Sequence, residues 1–341
     1  MKTIKPTLLA SLICVMLSWC FSSCGPGSST TNGGNWVSKS AYNGVVRSEA
    51  VSFVINDTGY VGTGYDGNNR LADIWAYNPG SGAATDFWYQ KADFGGSARN
   101  SAVAFEAAGK GFITTGYDGL NMLADTWAFD PSANTWVQKA TFPGLARYDA
   151  VAFGLLDKGY VGTGFDGNYE KDFYQYDPIA DAWTEINGYG GNKRTQAVAF
   201  VHNNLAYVAT GVNNGTEESD FYSFNPSTSA WSLLRNTANV STETYDDNYG
   251  SIDRNNAVAI VIGDSAYLTT GEQPGLTSTT WGYDFATDLW FTKTAYEGVA
   301  RTGAVGLSVS QGGYVGLGRS STSPYDDWRQ FFPFEAYNAN D

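Results

Sequence analysis

The sequence predicts an all-β chain closed into a β-propeller of six four-stranded blades, on three observations. First, an Arg with Ala-Val three and four residues on, an aromatic thirteen on and a Gly seventeen on recurs from Arg47, Arg99, Arg147, Arg194, Arg254 and Arg301. The copies are roughly 50 residues long, the length of a propeller blade. Second, runs rich in β-branched and aromatic residues alternate with turn formers inside each copy. Third, the strand that copy six lacks at its end stands alone before copy one, as Asn35-Trp36-Val37-Ser38-Lys39.

The second copy shows the unit most plainly. Its strand-like runs are Ala102–Phe105, Gly111–Thr115, Asp125–Phe129 and Thr135–Gln138, punctuated by Gly109, Gly116–Gly119 and Asp130–Pro131. That order reads as an antiparallel meander. Arg before the first strand, a Gly-ending second strand, then Trp127, Phe129-Asp130-Pro131 and Trp136 resemble the kelch repeat family, over essentially everything after residue 35. The family's paired glycines appear here mostly as Gly-Thr-Gly or Thr-Thr-Gly. The resemblance implies a kelch-type propeller.

Residues 1–23 read as an export signal: Lys2 and Lys5 precede the apolar run Leu8–Trp19, which is too short for a comfortable membrane span. Phe-Ser-Ser-Cys ending at Cys24 looks like a bacterial lipoprotein site of the kind seen in Bacteroidota, with Cys24 lipidated; an ordinary cleaved secretory signal is the alternative. The expected location is the cell envelope, on the outer membrane, held by the lipid alone. Residues 24–35 are Gly/Ser/Thr/Asn-rich and read as a flexible tether. Residues 36–341 then form one propeller domain, expected to be monomeric.

Trp36 matches Trp136 of the second copy, so Trp36–Lys39 is expected to be the outer strand of blade six and to close the ring. Outer-strand tryptophans are then Trp88, Trp136, Trp183, Trp231, Trp290 and Trp36; third-strand tryptophans are Trp75, Trp127, Trp281 and Trp328, with Tyr174 and Tyr222 in blades three and four. That periodicity favours blade packing over a sugar-stacking row. Two insertions break the period: residues 80–87 in blade one, and an acidic stretch including Thr242–Tyr249 before Arg254. Insertions in repeat proteins fall on loops, often on the binding face.

In an up-and-down blade, the loop into the first strand and the loop between the second and third emerge at one end. The arginines, the Gly-rich turns and the acidic insertion are therefore expected at one end of the ring, the end that also holds the mouth of the central channel. Residues constant in all copies are most simply scaffold, so the six arginines are expected to bind carbonyls or acids of adjacent loops; a cationic collar for an anion is the other reading. Residues that vary beside them are the candidate ligand contacts: Glu49, Tyr148, Asp149, Gln196 and Asn256 after the arginines. Tyr65, Asp66, Tyr117, Asp118, Phe165 and Asp166 follow the glycines of blades one to three only. Aromatic faces with carboxylates and amides suit carbohydrate, although Asp-Gly is also a common turn former.

The formal net charge of −14, or −14 − 2 = −16 once Lys2 and Lys5 are removed, argues against nucleic acid and anionic membrane surfaces as partners. His202 is the sole histidine and the cysteines lie only at 14, 20 and 24. These counts argue against His-based catalysis and multi-His metal sites, and they exclude a copper site like that of galactose oxidase, a seven-bladed kelch enzyme. Asp66-Gly67-Asn68 begins like a calcium loop but lacks its Glu and contains Arg70. No metal or cofactor is expected. The expected function is that of a non-catalytic ligand-binding or scaffold lipoprotein, recognising a glycan or an envelope protein on the Arg-bearing face. The alternative is a carbohydrate-active enzyme similar to the sialic-acid mutarotases, with Glu49 as acid or base.

Overall fold

The computed structural model describes Met1 and residues 33–80, 85–250 and 252–341. The expected signal peptide, Cys24 and most of the tether lie outside the described residues, as does part of the blade-one insertion.

Six four-stranded antiparallel sheets follow one another around the ring. Blade two comprises Val103–Ala107, Lys110–Thr114, Thr126–Asp130 and Thr135–Lys139, paired in that order. In each first strand the Val after the constant Ala is buried, as Val51, Val103, Val151, Val198, Val258 and Val305 are. The two residue types split by the period-2 alternation of a strand. Ala50, Ala102, Ala150, Ala197, Ala257 and Ala304 line the channel instead. The sheets stack through aromatic pairs, for example Phe105 on Phe112 with centroids 5.0 Å apart, and Tyr176 of the next blade edge-on to Phe112 at 5.2 Å.

The N-terminal strand Asn35–Ser38 pairs antiparallel with Trp328–Phe332 and completes blade six, as expected. It begins one residue earlier than the sequence suggests: Asn35 is buried, and its side-chain amide bonds Asp341. Trp36 is fully buried, stacks on Phe331 at 4.5 Å and donates its indole N–H to the Thr294 carbonyl of blade five. The outer tryptophans Trp88, Trp136, Trp183 and Trp231 likewise donate to Ser40, Ala92, Ala140 and Asn187 at the end of the preceding blade. These rings therefore act as clamps between blades.

The constant Gly has a backbone reason. Gly64, Gly116, Gly164, Gly211, Gly271 and Gly318 all have φ between +79 and +102°, and a Cβ there would meet a backbone oxygen at 2.6–3.0 Å, or Ala304 N at 2.8 Å and Thr302 O at 2.7 Å in Gly318. Each donates its N–H to the carbonyl of the next blade's arginine, Gly318 closing the circle onto Arg47 at 2.9 Å. The preceding residue is also left-handed, with φ of 56–63°, and is Thr in five blades and Leu317 in the sixth.

The insertion before Arg254 starts at the expected end of the ring, where Thr237 bonds Ser219 in the loop between the second and third strands of blade four. Thr244–Asp246 form a short 3-10 turn whose buried Asp246 accepts from the N–H groups of Val240 and Ser241. Tyr249 is buried, and its hydroxyl accepts from the Trp290 N–H at 2.7 Å. These anchors pull the segment over the outer strand of blade five, and no residue of it lines the channel mouth.

Candidate functional site

The six arginines are 0–1% exposed, which decides their availability: none lines the mouth. Each donates Nε to the carbonyl two residues back and a terminal N–H to the carbonyl sixteen residues on, as Arg99 does to Ser97 at 3.0 Å and Thr115 at 2.8 Å. In five blades an Asp 25 or 26 residues on takes the rest of the fork: Asp73, Asp125, Asp172, Asp220 and Asp327. The pair is bidentate at Arg99, Arg147 and Arg301. Blade five places Thr279 there instead; its hydroxyl accepts from Arg254, and burial lowers the Arg254 pKa to about 10.

Two residues past each arginine the chain turns left-handed. Glu49, Ser101, Asp149, Gln196 and Asn256 have φ of 51–58°, and Gly303 60°. The N–H groups of the first five donate to the carbonyls of Gly303, Glu49, Ser101, Asp149 and Gln196 respectively, at 2.8–3.1 Å. A hydrogen-bonded collar therefore links these rim residues from blade to blade. Asn, Asp, Ser and Gly tolerate this conformation well, which accounts for part of the polar character at these positions.

The collar and the alanine ring beneath it line a cavity of about 160 Å³. Glu49, Asp149, Gln196 and Asn256 are brought together there, and Ser101 and Gly303 complete the circle. Glu49 Oε2 accepts from the Asn100 amide at 2.6 Å and the Ser101 hydroxyl at 3.3 Å; its other oxygen lies 3.7 Å from the Arg319 guanidinium. Asp149 accepts from the Gln196 amide at 3.1 Å. Burial, reinforced by the charge of Glu49 and opposed by hydrogen bonds from Ser101 and Gln196, raises the Asp149 pKa to about 6. The mouth thus holds one carboxyl that carries a proton in mildly acid conditions, beside a second carboxyl, two amides and a hydroxyl.

The other candidates lie outside the mouth. Asp66 and Asp118 each accept two backbone N–H groups within their own turns, at 2.6–2.8 Å, which holds their carboxyls below the usual range. Asp166 accepts from Asn168 in the same way. These aspartates are consumed by turn geometry. The aromatic residues form an arc: Arg70 sits over the rings of Tyr65, at 4.7 Å, and Tyr117, at 5.1 Å; Tyr148 contacts Tyr117 and Phe165; Phe165 contacts Tyr169. The Tyr65 and Tyr117 hydroxyls donate to the carbonyls of Gly67 and Gly119.

Sequence reasoning named Asn100 only within the polar set after the arginines, and made neither Arg70 nor Arg319 a candidate contact. Asn100 is legible only as a polar neighbour of a constant Arg. Arg70 is masked by its place in a turn whose counterparts in blades two and three are Met122 and Tyr169, each bridged to the aromatic at the head of its turn as Arg70 is to Tyr65.

The family described as the Kelch motif matches residues 193–237, which is blade four. No curated protein matches the chain significantly. A solved structure titled "Structure of YjhT" aligns with a TM-score of 0.69 at 15% identity, over 84% of this chain and 95% of that one, which shows likeness of fold. The motif match and the ring of six blades together support a kelch-repeat β-propeller.

Proposed function

We propose that the chain is a non-catalytic binding lipoprotein of a bacterial envelope that holds a glycan at the channel mouth. The observation that carries this reading is the collar: one backbone frame, repeated around the axis, presents a different polar side chain from each of five blades and a glycine from the sixth. Such a ring offers acceptors and donors at fixed directions to an asymmetric, hydroxyl-rich ligand. The test is calorimetric titration of a panel of monosaccharides and polysaccharide fragments against wild type, Asp149→Asn and Gln196→Ala. Each variant is expected to weaken binding by about 1 kcal/mol or more. Unchanged affinity in both variants removes the mouth as the site.

The Asp149 pKa of about 6 favours a second reading, acid–base opening of a sugar ring as in a mutarotase. Exchange between anomers of a bound sugar, followed by NMR, separates the readings: acceleration over the uncatalysed rate that is lost in Asp149→Asn establishes an enzyme.

A further inference from the structure

Two more openings flank the mouth. One, of about 420 Å³, lies between blades six and one and is lined by Ser48, Glu49, Tyr65, Arg70, Asn100, Arg319 and the loop at residues 321–324. The other, of about 500 Å³, lies between blades three and four and is lined by Phe165, Tyr169, Lys193, Asn213 and Asn214. In a closed ring of six blades these seams are three blades apart in either direction, so they face each other across the axis with the mouth between them.

The first cleft shares a lining residue with the mouth, and the second is bridged to residues beside it. Glu49 lines the first cleft and the mouth alike. The bridges Tyr148–Phe165 and Thr195–Val212 set the walls of the second directly outside Asp149 and Gln196. The seams between blades one, two and three are filled, by Arg70 between two tyrosines and by Tyr148 between Tyr117 and Phe165. Among the described residues, these two openings lie at opposite points of the rim, and the arc through blades one to three that joins them is packed.

We propose that the two clefts and the mouth form one binding track for a linear oligosaccharide, with its middle unit at the mouth. This deepens the glycan reading and rests on it. The linings suit a sugar chain: an aromatic face in each cleft, amides and hydroxyls for ring substituents, and cations at both ends in Arg70, Arg319 and Lys193.

The experiment is calorimetry on the mature chain with two defined-length series, neutral malto- and cello-oligosaccharides and acidic oligogalacturonides, from the monosaccharide upward. Affinity is expected to climb with length and then level off, and whichever series climbs identifies the charge of the chain. Ser321→Trp, which plugs the first cleft, and Tyr169→Ala, which strips the second, are each expected to lower affinity for the longest chain about tenfold, the equivalent of one good contact. Neither should change monosaccharide affinity. Lys193→Ala, at a half-exposed side chain, is the second-cleft variant if Tyr169→Ala fails to fold. Binding of the monosaccharide with no gain from longer chains overturns the track and leaves the mouth reading standing. Binding of no sugar of any length overturns both.

Discussion

The backbone N–H of Glu49 donates to the carbonyl oxygen of Gly303 at 2.8 Å, joining the first blade of the chain to the last at the rim of the channel. Gly318 N–H to Arg47 O, at 2.9 Å, repeats the join one layer out. The outer rim is joined independently, by the pairing of Asn35–Ser38 with Trp328–Phe332. The ring is therefore closed at three places, and the outermost closure depends on residues that precede the whole repeat array.

That dependence sets the first prediction. Trp36→Ala removes a fully buried ring stacked on Phe331 and edge-on to Tyr296, and should cost about 3–5 kcal/mol. Deleting residues 25–40 should lower the melting temperature far more than deleting 25–32, which spares the Gly33 carbonyl that accepts from Thr294. Equal melting temperatures would show that the outer closure contributes nothing.

Anchoring is the second. In the proposed lipoprotein, Cys24→Ala should move the protein from the membrane to the soluble fraction on cell fractionation. Retention of the variant through a salt wash would mean that something other than a lipid on Cys24 holds it.

The blade pattern was legible because its causes act identically in every copy. The left-handed turn admits only Gly at 64, 116, 164, 211, 271 and 318, and the arginine fork needs the same carbonyls each time. The lone strand at Trp36 was legible for the same reason, since its counterpart is missing from blade six. The site was legible only in part. Glu49, Asp149, Gln196 and Asn256 stood out by varying beside a constant residue, but the collar that aims them is built from backbone groups of any identity. Asp66 and Asp118 carry the same residue types as a ligand site would, and only their bonds to Asn69 and Asn121 show them to be turn formers. The outward course of the acidic insertion depends on Tyr249 meeting Trp290 across 41 residues, which no local pattern encodes.

The third prediction separates scaffold from site. Arg99→Ala strands Asp125, whose carboxyl is pushed up by burial but brought below the usual range by the hydrogen bonds and charge of Arg99. Loss of one partner of such a pair should cost about 3–5 kcal/mol. A carboxyl with a depressed folded-state pKa stabilises the fold above its unfolded pKa and loses that contribution as pH falls. Arg99→Ala should therefore lose less additional stability than wild type on acidification below about pH 4. Parallel acid limbs in chemical denaturation would contradict the pairing.

Asp149 has the opposite sign. Its folded-state pKa, about 6, lies above that of an unfolded aspartate, so the folded protein holds a proton that the unfolded chain has released. That contribution is fully present below about pH 4 and is lost as pH rises through about 6. Asp149→Asn should gain stability relative to wild type across this window, and the difference should level off above it. A difference that stays flat with pH would mean that Asp149 is ionised throughout.

The last prediction assigns the working face. Asp149 and Gln196 project from the collar into the mouth, whereas Glu106 lies at the far end of its first strand, where it accepts from the Gly109 N–H in the turn to the second. For any ligand that binds the mouth, Gln196→Ala should weaken binding by about 1 kcal/mol or more with little change in melting temperature, because among the described residues its side-chain amide bonds only Asp149. Tyr117→Ala should weaken binding less cleanly. Its ring supports Arg70 and Tyr148, so the variant should also melt earlier. Glu106→Ala is the control, expected to leave affinity unchanged. If Glu106→Ala abolishes binding while Gln196→Ala and Asp149→Asn leave it intact, the ligand enters from the opposite end and the collar is purely a closure device.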